Sequence, residues 1–420
     1  MQSVLEYVKS IDLETVTDPE VLNNVYQEIN GFEKELVSNT QTTHQMESIV
    51  KKSNVHQVAD LLKKLDVNEL SKKKLGSRFI EVICDVVFRS IYVKMLQVDV
   101  GALFSLIDTK DAFKANFFNT NATHVVRKLF QIASGKKIVN GRIEQRFDPL
   151  MPGYVEKHKE TVLELIPSIS KEDSFATLLM YLHCYRSQTV IYEVSRHHFS
   201  LESICNPNTS YFFEKIVQAA NKKTLKMFFE AVAGKEMDLC RDKYGNYFIG
   251  ELILHYPKKA DHFFRRLQLD EFDKNSNIVM KLVQALAKQK SYSNLDQVVN
   301  AFYLENRTDD ILFNTFGGVE GNFKQKYAPM LCELMKLADN HNYSVNSAFK
   351  KRFCANWIRS KGGMEILKGY YEGMDCNKSK KEFTKKIEKH LPDIMDRKGS
   401  ENVIKLIMRY KVNQNKYKQH

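Results

Sequence analysis

Residues 77–84 read SRFIEVIC and residues 123–130 read THVVRKLF. The same octapeptide pattern returns at 43–50 (THQMESIV), 210–217 (SYFFEKIV), 246–253 (NYFIGELI) and 276–283 (SNIVMKLV). Each copy has a small or polar residue first, a long or flat residue second and a polar residue, usually, fifth. Apolar residues fill most of the third, fourth, seventh and eighth positions. In a helix, residues four apart share a face, so the first and fifth side chains project together and the apolar set turns to a core. Steps of 34, 46, 36 and 30 residues separate the neighbouring copies 43 to 77, 77 to 123, 210 to 246 and 246 to 276. A period in the thirties with two or three helices per unit predicts an all-α solenoid of stacked repeats.

The rest of the chain agrees with that reading. Only 17 of 420 residues are Gly and 8 are Pro, too few turn formers for a sandwich or propeller. Helical spacing dominates 21–37, 57–65, 161–166, 174–185, 224–233, 278–287 and 295–304. Asp18-Pro19 supplies an N-cap and a first-turn proline. The exception is 137–147, where Asn140-Gly141 predicts a small hairpin. Segment 135–154 reads as a protruding basic loop, and 306–320 and 372–382 as irregular connections. The 64 residues from Thr123 to Ser187 hold an insertion or an unseen repeat; SQTVI at 187–191 and SENVI at 400–404 are weaker copies.

The net charge of +12 suits a polyanionic partner. It is unevenly spread, with a net of −7 over residues 1–50 and +8 over 377–420. Basic groups at Lys136, Lys137, Arg142 and Arg146 could hold phosphate. The run Lys378, Lys380, Lys381, Lys385, Lys386 and Lys389 reads as a charged helix face or a targeting patch. Seven scattered cysteines without a C-x-x-C pair fit a reducing compartment and support no zinc ribbon. No apolar leader or membrane-length run is visible, so an intracellular, soluble protein without membrane contact is expected. His197-His198 with Cys205 lacks metal-ligand spacing. Gly317-Gly318 lacks the Gly-Lys-Ser/Thr ending of a phosphate loop, and no G-x-S-x-G elbow occurs. No catalytic residue, metal or cofactor is expected.

Stacked copies would align their polar triplets as a ladder, offering hydrogen bonds to a base edge and a flat side chain to its face. The elements LGSRFIEVI, NATHVVRKLF, NTSYFFEKIV and KYGNYFIGELI resemble the second-helix motif of Pumilio (PUF) repeats. Three longer segments resemble the nucleolar pumilio-like branch of that family: NNVYQEINGFEKELVSNTQTTHQMESIV, NATHVVRKLFQIASGKK, and TSYFFEKIV followed by AVAGKEMDLCRDKYGNYFIGELI. The resemblance implies a C- or U-shaped, eleven-repeat solenoid in one array over residues 1–412. It implies a nuclear, nucleolar, monomeric, non-catalytic protein working beside pre-ribosomal particle proteins. Its RNA would be pre-ribosomal RNA near the small-subunit 3′ end and spacer, where it restrains premature cleavage.

The first, second and fifth motif positions carry over as RNA-binding candidates. These are Thr43, His44 and Glu47; Ser77, Arg78 and Glu81; Thr123, His124 and Arg127; Ser210, Tyr211 and Glu214; Asn246 and Tyr247; and Ser276 and Asn277. A Ser/Glu pair resembles the family's guanine reader and an Asn/Gln pair its uracil reader. Asn246 is matched with Gly250 and Ser276 with Met280, which departs from a one-base-per-repeat code. The competing reading is a HEAT- or armadillo-like protein-interaction scaffold with an incidental basic surface.

Overall fold

In the computed structural model, residues 2–12, 18–139, 141–268, 277–289 and 377–389 are described, with scattered positions besides. Among them every copy of the octapeptide opens a helix. The motif helices are Thr43–Lys52, Lys74–Tyr92, Ala122–Ser134, Ser210–Ala219, Gly245–His255 and Asn277–Gln289. Their third, fourth, seventh and eighth positions form one apolar stripe. Phe79, Ile80, Ile83, Val125, Val126, Leu129, Phe213, Ile216, Val217, Phe248, Ile249 and Leu252 are all fully buried. Each such side chain contributes about 1.5–3 kcal/mol by leaving water.

A short turn sets where each motif helix begins. Four residues before the first motif position stands Asn39, Asn119, Asn206 or Asp242. Its side-chain oxygen accepts the N–H two residues on: Gln41 at 2.8 Å, Asn121 at 3.1 Å, Asn208 at 2.8 Å and Tyr244 at 2.9 Å. This is the Asx turn, a local substitute for a backbone turn. The carbonyl of the same residue accepts the N–H of the first motif residue in all four copies. At the Lys74 helix, Lys73 offers only its carbonyl, to Ser77 N at 2.8 Å.

The chain divides into two compact units, Met1–Thr224 and Leu225–His420. In the first, the motif helices pack in succession, Thr43 helix on Lys74 helix, then Ala122 helix, Glu172–Cys184 helix and Ser210 helix. The Glu172 helix holds the repeat hidden in the long gap. Its Phe175, Ala176 and Leu179 take the first, second and fifth places, 35 residues before Ser210. Ser187 instead caps a different helix, Gln188–His198, accepting Val190 N. Ion pairs join consecutive motif helices, Glu47 to Arg78 at 2.9 Å and Asp85 to Lys128 at 2.6 Å.

In the second unit, Glu236–Arg241 precedes the Gly245 helix, which packs on the Asn277 helix. Their link is Glu251 to Lys281 at 2.9 Å, with both side chains largely buried, reinforced by His255 at 3.2 Å. Helix Asn377–Glu388 buries Phe383 and Ile387 and leaves Lys381 and Lys385 exposed. Segment 372–382 is therefore helical from 377, not an irregular connection throughout. Residues 306–320, Ser276 and Ser400 lie outside the described residues, as does most of 295–304.

Two further expectations change. The stretch 21–37 is two helices, Pro19–Glu28 and Glu33–Ser38, broken where Gly31 takes φ +85°. Asp18 and Pro19 do cap the first of them. Residues 135–154 are not a free loop. Strands β1 (Lys136–Val139) and β2 (Arg142–Arg146) pair antiparallel, with Val139 opposite Arg142, which makes the expected hairpin; Asn140 lies outside the described residues. Beyond them Phe147 stacks on Tyr92 at 5.3 Å, and the Tyr92 hydroxyl donates to Ile132 O and accepts Leu150 N. Tyr154 is buried and donates to Asp108.

Two outcomes test this packing. A Cβ on Gly76 would lie 2.3 Å from the Leu70 carbonyl oxygen, a backbone atom that cannot swing away. Gly76→Ala should destabilise by about 2 kcal/mol, read as a lower urea midpoint at unchanged slope. Burial alone would raise the Glu251 carboxyl; the hydrogen bonds from His255 and Lys281 outweigh it and hold the group at about 2. A depressed carboxylate stabilises above its unfolded pKa of about 4.3, and that contribution fades as pH falls towards about 2. Lys281→Met should flatten the loss of thermal stability in that acid window and leave the slope above pH 5 unchanged.

Candidate nucleic-acid interface

The first motif position is committed to the fold. Thr43, Ser77, Thr123 and Ser210 are all buried. Thr43 Oγ1 donates to the carbonyls of Asn39 (2.6 Å) and Val37 (2.8 Å). Ser77 Oγ donates to Lys74 O and Thr123 Oγ1 to Thr120 O. Asn246 Nδ2 donates to Asp242 O at 2.7 Å and Lys243 O at 2.9 Å. These groups tie each helix start to the preceding turn, and that need explains the recurrence of small polar residues there.

The second position faces outward. His44, Arg78 and His124 are exposed, as are Tyr211 at 45% and Tyr247 at 51%. Large aromatic faces at such exposure are available for stacking. Asn277 is half-buried. A Cβ on Gly250 would sit 2.6 Å from Asn277 Nδ2. The missing side chain at that fifth position is thus what lets the next repeat approach, and no edge-reading pair forms there.

The fifth position works between repeats. Glu47 is buried and its partner Arg78 reaches it from the next helix. Glu81 is half-buried; burial raises its carboxyl, and the charges of His124, Lys128 and Arg127 on the following helix work against the rise. Arg127 donates through Nη2 to His124 Nδ1 at 3.0 Å and through Nε to Thr123 O at 3.3 Å. Burial disfavours its charge, and Asp173 and Glu81 support it. Glu214 pairs with Lys215 at 2.9 Å. Glu47 and Glu214 are thus ion-paired, Glu47 by the second-position Arg78, and the most exposed side chains of the row stand at the second position.

The hairpin cations divide. Lys136 donates to the His183 and Cys184 carbonyls, capping the Glu172 helix, so it is unavailable to phosphate. Lys137 pairs with Glu144 at 4.0 Å, while Arg142 and Arg146 are exposed. Among the described residues no cluster of His, Cys, Asp and Glu is arranged to hold a metal. No described helix is long and apolar enough to cross a membrane. Sequence reading missed the triplet of the Glu172 helix because it is apolar. The Asx residue four positions upstream was a signal present in the sequence and would have fixed the register of four copies.

No family model matches the chain, and no curated protein does. Solved structures do. APUM23 with GGAUUUGACGG is similar with a TM-score of 0.67 at 14% identity, over 97% of this chain and 90% of that one. APUM23 with its insert region deleted, with GGAAUUGACGG, gives a TM-score of 0.63 at 15% identity, over 97% and 89%. These neighbours are Pumilio helical-repeat proteins. With motif helices buried along one apolar stripe, four of them begun by an Asx turn, the chain has the Pumilio-repeat fold.

Proposed function

We propose that this chain is a non-catalytic RNA-binding protein whose repeats form one array over residues 1–412. Its ligand is pre-ribosomal RNA near the small-subunit 3′ end and adjacent spacer, where it restrains premature cleavage. It acts as a monomer in the nucleolus beside pre-ribosomal particle proteins. The observation that carries RNA binding is the run of exposed second-position groups, His44, Arg78, His124 and Tyr211 in one unit and Tyr247 in the other. Cations and aromatic faces at one helical register are what unstacked bases and phosphates require. The similarity in fold to APUM23, solved with single-stranded sequences such as GGAAUUGACGG, supports the same reading. The ribosomal assignment rests on the sequence resemblance to the nucleolar branch.

Binding of single-stranded RNA from the small-subunit 3′ region should exceed binding of duplex DNA. Arg78→Ala and Arg127→Ala should each weaken it and lower the salt slope by about 0.7. Tyr247→Ala should cost about 1–3 kcal/mol with little change in slope, because stacking releases no counterions. Fluorescence anisotropy across a salt series checks both. A protein that ignores RNA at moderate salt would return the chain to the scaffold reading.

A further inference from the structure

The hairpin turns an apolar repeat into a pocket. Beneath it lies a cleft of about 400 Å³, floored by Phe175, Ala176, Leu179 and Met180 of the Glu172 helix and walled by Arg127 and Tyr211. Ile138 and Gly141 supply the hairpin side. A Cβ on Gly141 would lie 2.1 Å from Tyr211 Oη, so glycine alone lets the turn close onto that ring. The size falls within the range of small-ligand pockets. The cleft lies in the middle of the motif row. Arg127 on one side and Tyr211 on the other are the groups to which RNA binding was assigned above, and the repeat between them lacks an edge-reading pair.

We infer that this cleft takes one unstacked nucleobase, drawn out of the bound strand and held between the hairpin and the Glu172 helix. The inference rests on the RNA-binding reading. A base suits the site on three counts. Phe175, Ala176, Leu179 and Met180 give a flat ring an apolar floor, with Glu172 and Asn208 also lining the cleft. The Tyr211 ring and the Arg127 guanidinium are stacking platforms for bases. Lys215, paired with Glu214, lies 5.1 Å over the Tyr211 ring and holds it in place. His183 also lines the cleft, and its Nε2 is buried without a hydrogen-bond partner, which leaves one polar contact for a base edge. Burial, with Lys215 and Lys136 nearby, holds the His183 imidazole below its ordinary range, so it meets the base neutral. At this repeat the strand is thus gripped chiefly by burying a base, with His183 Nε2 as the polar contact to its edge.

The test uses the full chain and a fluorescein-labelled single-stranded RNA pool of about twelve nucleotides, from which the tightest sequence is taken. Ala176→Trp fills the cleft; it should weaken binding about tenfold, the loss of roughly one stacked base, at unchanged salt slope. An abasic nucleotide walked along that RNA should weaken wild type about tenfold at one position and add nothing to Ala176→Trp there. Met180→Trp serves where Ala176→Trp does not fold, and 4-thiouridine crosslinking of the wild type should mark the 172–184 peptide. Tryptophan variants that melt like wild type and bind as tightly would overturn the pocket, as would additive abasic losses at every position or crosslinks elsewhere only. Each of those outcomes leaves RNA binding intact. A wild-type chain that binds none of the pool overturns both.

Discussion

The turn that opens each motif helix is the constraint on which the remainder depends. A helix start leaves backbone N–H groups unpaired; at four of the motif helices an Asx oxygen takes one or two of them, and at the Lys74 helix the Lys73 carbonyl holds the Ser77 N–H. That fixes the angular phase of the helix. Once the phase is set, positions three, four, seven and eight must face the core and position two must face away. A slip of one residue would rotate Phe79 or Val125 towards water and Arg78 or His124 inwards, at a cost no local bond could offset. The polar residue at the first position is thus a structural part, and the chemistry available to a ligand sits one residue later.

The same phase places acidic residues where the next repeat can pair with them. Glu47 meets Arg78, Asp85 meets Lys128 and Glu251 meets Lys281, each across the seam between neighbouring repeats, and His255 supports Glu251 from its own helix. The carboxylates act as ties between helices. Breaking such a buried pair by removing one partner leaves the other uncompensated, so these ties also resist slippage of one repeat against the next. Where the fifth position has no side chain, at Gly250, Asn277 of the next repeat lies against it, and the same seam is tied one residue later by Glu251 and Lys281.

The hairpin shows how one insertion redirects a repeat. Its first lysine caps the Glu172 helix, and the segment that follows its second strand packs on Tyr92. The insertion is therefore anchored at both ends and lies over the fourth motif helix of its unit. Phe175 and Leu179 are buried there, and polar residues in their places would have been left unpaired under the hairpin.

The all-α class, the repeat period, the second-position row and the hairpin within 137–147 were legible in the sequence. Each is a local periodicity or a local backbone preference, and such signals survive without knowledge of the fold. The separation of the first position from the surface was not legible, because Thr43 or Ser77 looks the same whether its hydroxyl meets a carbonyl or a base. Nor was the repeat of the Glu172 helix, whose apolar triplet makes sense only beneath the hairpin that covers it. The docking of 147–154 depends likewise on a distant partner, Tyr92 against Phe147. Sequence by itself determined what repeats and with what spacing, since helical phase is set within a few residues. Tertiary structure alone decided which polar groups are spent on the fold and which remain for a ligand, since burial is a property of neighbours far away in the chain.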